Sequence, residues 1–379
     1  MTNGEKRLRT FRQGSGQATD RGPRTMELQT KAAVLYAAGK PFEITDINVV
    51  PPGEGEVLVR MAAAGICGSD EAVRTGKRPH AMPVVCGHEG AGFVEALGEG
   101  VARLNRGDFV ILNWQPACGT CAVCGRGQPN LCTTFPERVT KPEARFFLKD
   151  GSPVFSYSHL GCFAQRVTVR QECCVVVDKK IPPEVSCLIG CAVTTGVGAV
   201  LNTARVKAGE SVAIFGMGGV GLSIVMGGKL AGAESIIAVD TAMAKKKMAL
   251  ELGATDFFQE GAKVRNVDYA FDAVGSPEVV RKCLDAVRPG GTVVCVGLPA
   301  MSAEYSLPAW KLVVGEKKII GSLYGSADPF QFFSRLVDFY LEGKLPLDRL
   351  ISKTYTLEEI NAGFEALRSG RTGRGVIRF

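Results

Sequence analysis

The sequence is poor in aromatic residues and in histidine: two Trp, seven Tyr and nineteen Phe make up 7% of 379 residues, and His occurs three times. Imidazole chemistry is therefore confined to His80, His88 and His159. Near the N-terminus there is no apolar core of the ~7 to 15 residues that a secretory signal needs, so the chain is expected in a reducing cytoplasm. Long apolar runs free of glycine are also missing. The uncharged stretches 185–204 and 211–228 approach the ~20 residues that span a bilayer, but they carry three and six glycines. Such low apolar density excludes lipid-exposed helices and predicts buried structure, with no membrane partner. A broad excess of one charge is absent as well. The net charge of +7 is concentrated in a tail, 1–25, where Lys6, Arg7, Arg9, Arg12, Arg21 and Arg24 face only Glu5 and Asp20. Without interleaved aromatics this tail reads as a disordered, solvated extension rather than a nucleic-acid arm. With 46% hydrophobic and 22% charged residues the chain is neither disordered nor fibrous, and its length predicts two domains.

What is abundant is glycine, 46 residues, and cysteine, 13 residues. Glycine-rich turns bring main chain close to ligands. Cysteines clustered in a reducing compartment read as metal ligands rather than disulfides. Cys118, Cys121, Cys124 and Cys132 follow C-x2-C-x2-C-x7-C in a glycine-rich segment. Four thiolates that close in sequence can enclose one tetrahedral zinc with every ligand from protein, a structural site. An iron–sulfur cluster is the rival, but the ferredoxin run continues x3-C-P after its third cysteine. A second set is dispersed: Cys67 in GICGSD, His88 and Glu89 in GHEG, and Cys191 in GCAVTTG. Alone, each reads as a core residue. Together they match a catalytic zinc site with three protein ligands and one open position. The remaining cysteines form no pattern.

From Ser211 an apolar run, SVAIF, leads into Gly216-Met-Gly218-Gly219-Val220-Gly221 and then into a segment with helical potential. A second run, SIIAV, ends at Asp240. Strand, G-x-G-x-x-G, helix, strand and acid is the context of a dinucleotide fingerprint, with the pyrophosphate at a helix N-terminus and the carboxylate on ribose hydroxyls. A carboxylate there repels a ribose phosphate, which favours NAD over NADP. Lys245 is a candidate for the other side of that ribose. Further strands and helices alternate to about residue 297, so the fold class is α/β with a doubly wound parallel sheet.

GHE, the four-cysteine lobe, G-x-G-G-x-G and the terminal Leu367-Arg-Ser-Gly370 together resemble the zinc-dependent medium-chain dehydrogenase/reductase superfamily. The closer likeness is to the dimeric branch of liver-type alcohol dehydrogenases and formaldehyde dehydrogenases. The resemblance covers about 30–379 and implies a β-rich GroES-like catalytic domain, 26–192 and 334–379, around a Rossmann NAD-binding domain, 193–333. It implies two zinc ions per subunit. Cys67, His88 and Cys191 would ligate the catalytic one, with Glu89 as a nearby carboxylate, and Cys118, Cys121, Cys124 and Cys132 would hold the structural one. Ser69 would take the alcohol proton and Asp70 would orient His88. Thr195, with Gly196, would pack against the nicotinamide, and Arg368 would reach the pyrophosphate. A homodimer is implied, through edge strands near 297–312. Two positions depart from the family. Ala72 stands where a histidine passes the proton outward, and Gly68 where many relatives place Arg or His on the pyrophosphate. The expected activity is reversible hydride transfer from a primary or secondary alcohol to NAD, giving aldehyde or ketone. Oxidation of an S-(hydroxymethyl)thiol adduct of formaldehyde is the second reading, and a catalytically silent NAD-binding sensor is a third.

Overall fold

Three sheets and the helices packed on them make up the computed structural model, which describes residues 28–135, 143–370 and 373–379. The basic tail lies outside the described residues. Short alternating strands Leu28–Leu35, Glu43–Val49, Ala144–Phe147, Pro153–Ser156 and Val84–Val85 close into a small barrel. A neighbouring seven-stranded sheet is built around Glu56–Gly65. That strand pairs antiparallel with Gly90–Leu97, Arg166–Arg170 and Arg374–Arg378. Antiparallel pairing has a consequence for placement. The chain leaving Glu56–Gly65 and the chain entering Gly90–Leu97 and Arg374–Arg378 meet at one end of the sheet, with Ala64 opposite Gly90 and Gly65 opposite Val376.

The third sheet is parallel throughout, with spatial order Asp256–Gln259, Ser235–Asp240, Ser211–Phe215, Val267–Asp272, Val287–Cys295 and Lys318–Gly321. In chain order this is 3-2-1-4-5-6, the doubly wound arrangement, and its switch point lies beyond the carboxyl ends of Ser211–Phe215 and Val267–Asp272. Buried Val212, Ile214, Ala238, Phe271 and Val294 pack this sheet against helix Gly219–Ala231 and neighbouring helices in one core.

Among the described residues one helical segment, Pro183–Ala204, is long and apolar enough to cross a membrane, and 89% of its most apolar window is buried inside the protein. It links the two sheets and contains π-helical turns at Ile189–Val193 and Ala199–Ala204. The segment near 297–312 corrects an expectation, because it forms no strand; it loops and then enters helix Ala309–Val314. Pro299 and Pro308 remove ladder donors there, which explains why pairing stops. Farther on, helix Ile360–Ser369 buries Ile360 and Phe364 as its periodicity predicts. Its capping box forms by half: Thr356 N–H donates to Glu359 Oε2 at 2.9 Å, while Glu359 N–H bonds the Thr356 carbonyl rather than its hydroxyl.

Candidate metal and cofactor centre

Cys67 follows the central strand and sits at the N-cap of helix Gly68–Arg74, whose first turn carries half-buried Ser69. His88 and Glu89 immediately precede strand Gly90–Leu97. Cys191 arrives from the π turn of the long helix, where Gly190 lies so close to strand Phe109–Leu112 that a β-carbon would meet the Leu112 carbonyl at 2.9 Å. One donor atom from each of Cys67, His88, Glu89 and Cys191 falls within 4.8 Å of the others. His88 is 3% exposed and its Nδ1 lies 3.1 Å from Oδ1 of fully buried Asp70, which also accepts the Gly87 N–H at 2.9 Å. That bond fixes the imidazole so that Nε2 is the free ligand atom.

Electrostatics fit a cation. A hydrogen bond from Cys191 holds the Cys67 thiol well below the ordinary range, and the same contact pushes Cys191 up, so the pair shares one proton. Burial pulls His88 down, but the charges of Asp70, Cys191 and Cys67 outweigh it and the net direction is up. Glu89 is raised to about 7 by burial, against the pull of Arg374. Arg374 Nη2 bonds Glu89 Oε2 and, at 2.8 Å, the Ile66 carbonyl. Glu89 Oε1 is buried and has no hydrogen-bond partner among the described residues. A cluster of two thiols, one imidazole and an unserved carboxylate oxygen suits zinc.

The four-cysteine lobe passes a stricter test. Cys132 Sγ lies 3.7 Å from Cys118 Sγ and 3.9 Å from Cys121 Sγ. A tetrahedron with arms of about 2.3 Å has edges of about 3.8 Å, far longer than a disulfide. All thirteen cysteines are free of disulfides. Hydrogen bonds from Thr134, Thr120 and the Cys121 N–H lower Cys118 to about 6, those from Cys124 and Thr133 lower Cys121 to about 5, and Cys124 rises to about 12 through desolvation and its bond to Cys121.

At the switch point Gly216 has φ +98°, and a β-carbon on Gly221 would stand 1.7 Å from the Gly216 carbonyl. Only glycine closes that turn. Gly218 faces open space, and Gly219 and Val220 begin the 13-residue helix. Asp240 receives N–H bonds from Met217 at 2.6 Å and Ala242 at 2.9 Å, and Lys245 Nζ lies 3.1 Å away. Burial raises its pKa, but these donors win and hold it low, so the carboxylate stays charged. Thr195 is 9% exposed on Thr194–Gly198, which packs so tightly on the dinucleotide helix that a β-carbon at Gly196 would meet Ser223 Cβ at 2.4 Å.

Two family profiles match the chain: the alcohol dehydrogenase GroES-like domain over 53–179 and the zinc-binding dehydrogenase over 219–342. The NDMA-dependent alcohol dehydrogenase of Amycolatopsis methanolica is 39% identical, over 92% of this chain and 99% of that protein. The S-(hydroxymethyl)glutathione dehydrogenase of Paracoccus denitrificans is 36% identical, over 93% of this chain and all of that one. The benzyl alcohol dehydrogenase structure from Acinetobacter calcoaceticus superposes with a TM-score of 0.87 at 33% identity, over 93% of this chain and 99% of that one. The chain belongs to the zinc-dependent alcohol dehydrogenase family.

In this alcohol dehydrogenase, Arg368 is half exposed and stands 3.7 Å from Glu71. Arg374, which sequence reasoning passed over, stands beside the dinucleotide turn. A β-carbon on Gly219 would stand 2.5 Å from its Nη1, and its Nε is buried with no partner among the described residues. An orphaned guanidinium donor beside a helix N-terminus fits a phosphate. Two aromatics were also missed. Trp114 and Tyr157 stand edge-on to His88 with centroids 6.4 and 5.6 Å away. The signal for Arg374 was a charge at the start of a terminal strand that otherwise buries Val376 and Ile377; the aromatics gave none.

The lobe makes a direct prediction. Cys124→Ser leaves three thiolates and is expected to lower zinc content from two to one per chain, with Tm falling by several degrees. Metal analysis and thermal unfolding check it, and retention of two zinc ions would contradict the shared site.

Proposed function

We propose that this chain is an NAD-linked zinc alcohol dehydrogenase that removes hydride from the carbinol carbon of a primary or secondary alcohol. The observation that carries the reading is the meeting of Cys67, His88, Cys191 and Glu89 from three distant segments within 4.8 Å. Zinc, when bound by Cys67, His88 and Cys191, supplies Lewis acidity that makes an alcohol hydroxyl acidic near neutral pH. NAD, when bound along Gly216–Gly221, supplies the hydride acceptor.

The protein's own groups do the rest. Ser69 accepts the hydroxyl proton and passes it outward; because residue 72 is alanine, the route continues by water or another side chain. Asp70 holds His88 in one tautomer. Trp114 and Tyr157 wall the imidazole with apolar edges, which excludes water and favours an alcohol with a flat apolar body. Asp240 and Lys245 hold the adenosine ribose, Thr195 backs the nicotinamide, and Arg374 grips the pyrophosphate. Gly68 leaves open space where an extra phosphate contact would sit. The catalytic unit is 26–192 with 334–379, and the cofactor unit is 193–333. Leu298, Met301, Trp310, Val313 and Val314 are 60% exposed or more, an apolar patch that supports a homodimer. The chain acts in the cytoplasm.

Likeness to the Paracoccus enzyme keeps oxidation of a formaldehyde–thiol adduct as the second reading. The test is NADH formation from primary, secondary and aryl alcohols, with and without S-(hydroxymethyl)glutathione, beside a zinc count. Turnover of plain alcohols with two zinc ions is expected. Turnover of the adduct alone would favour the second reading, and no turnover of either would leave the silent sensor.

A further inference from the structure

The loop that follows helix Gly68–Arg74 carries a cation that no acid meets among the described residues. Arg78 is tied to that helix through its backbone, N–H to the Ala72 carbonyl at 2.9 Å. Its side chain reaches inward, and Nη1 donates to the Tyr157 hydroxyl at 3.0 Å. Tyr157 is 5% exposed, and its ring stands perpendicular to His88. The guanidinium is therefore one tyrosine ring from a ligand of the candidate catalytic metal. Carboxylates nearby are engaged elsewhere: Glu71 pairs with Arg74 at 2.7 Å and lies near Arg368, and Asp70 serves His88 and Gly87. Among the described residues no carboxylate pairs with Arg78.

A second polar atom in this cluster is also unserved. The His80 ring packs against the same tyrosine, 5.7 Å between centroids at 74°. Its Nδ1 lies 2.9 Å from the Ala81 carbonyl and so carries the hydrogen, which leaves Nε2 buried without a partner among the described residues. Lone buried polar atoms are costly, and a half-buried guanidinium bonded only to a phenol keeps several N–H donors free. An arriving carboxylate would take those donors and favour a charged imidazole beside it.

We propose that Arg78, braced by Tyr157, is the specificity-determining residue of the substrate pocket and anchors a carboxylate on the far end of the alcohol. The inference rests on the dehydrogenase reading above and narrows its substrate to anionic alcohols. Two sources share that chemistry: a rigid hydroxymethyl acid, and a flexible thiol adduct that bears carboxylates.

The test compares kcat/KM for 4-(hydroxymethyl)benzoate with its neutral isostere 4-(hydroxymethyl)benzamide, and includes S-(hydroxymethyl)glutathione, in the zinc-loaded enzyme. The wild type is expected to prefer the benzoate or the glutathione adduct over the amide by about tenfold or more. Arg78→Gln should bring that ratio to about one, and Arg78→Lys should keep part of it. Because the readout is a ratio within one variant, general damage to the fold cancels. An Arg78-dependent preference seen with the adduct alone assigns the anion to a thiol conjugate; with the benzoate, to a hydroxy acid. A ratio that Arg78→Gln leaves unchanged overturns the anchor. If none of these alcohols reduces NAD, the dehydrogenase reading has failed, and calorimetric binding of 4-methylbenzoate decides the anchor separately: weaker binding to Arg78→Gln supports it and equal binding refutes it.

Discussion

Replacing His88 with alanine is expected to cut kcat/KM for any alcohol substrate by about 10⁴-fold or more and to leave one zinc ion per chain. The magnitude follows from how much acidity the cation supplies: a catalytic zinc brings the pKa of bound water down by many units to about 7, and losing the ion forfeits ionisation on that scale. Two thiols and a carboxylate would remain, but the vacated space is buried and His88 is the only described imidazole in the cluster. The change also strands Asp70, which is fully buried and would keep only the Gly87 N–H. Asp70→Asn supplies the comparison. It keeps the ligand and weakens the bonds that Asp70 Oδ1 makes with His88 Nδ1 and the Gly87 N–H, so a loss of about 10- to 100-fold is expected. Metal analysis separates the two sites, because the four-cysteine lobe shares no residue with His88. A His88→Ala protein with two zinc ions and more than about a hundredth of the activity would remove the basis of the mechanism.

The parts legible in the sequence were those whose chemistry is written in spacing. Cys118, Cys121, Cys124 and Cys132 lie within one short loop, so their meeting is nearly dictated by chain length. Cys67, His88 and Cys191 are farther apart, and there composition and glycine-flanked turns marked them before any pairing was known. The parallel sheet was legible because each strand ends in a turn residue, Gly216 or Asp240, with a distinct task. Arg374 was not. It is one of several arginines near the C-terminus, and only the pairing of Arg374–Arg378 with the central strand lifts it out of that series and sets it against Glu89. Arg368, marked by its motif, sits on a helix face turned toward Glu71 instead. Tyr157 and Arg78 escaped notice for the same reason: 79 residues separate them, and neither belongs to a periodic pattern. The strands expected near 297–312 followed from the family likeness and from no pattern in these residues, and the prolines there forbid the ladder.

Arg374→Met should lower both stability and NAD affinity, and the two losses should separate under a second substitution. Arg374 is 5% exposed and bonds Glu89, which is fully buried. Breaking a buried pair by removing one partner costs about 3–5 kcal/mol, since the remaining charge is left in low dielectric. For a chain of this size that amounts to a fall in Tm of roughly 5 °C. Adding Glu89→Gln removes the orphaned charge, so the double variant should recover much of that Tm. It should not recover NAD binding, because the orphaned Nε and the group over Gly219 are gone in both. Loss of a charge-assisted contact to phosphate predicts an increase in Kd of about tenfold or more, read by fluorescence titration. Arg374→Lys keeps the charge but cannot serve Glu89, the Ile66 carbonyl and a phosphate at once, so it should fall between. If the double variant regains both Tm and NAD affinity, Arg374 is only the counterion of Glu89 and the pyrophosphate is held by the glycine turn alone.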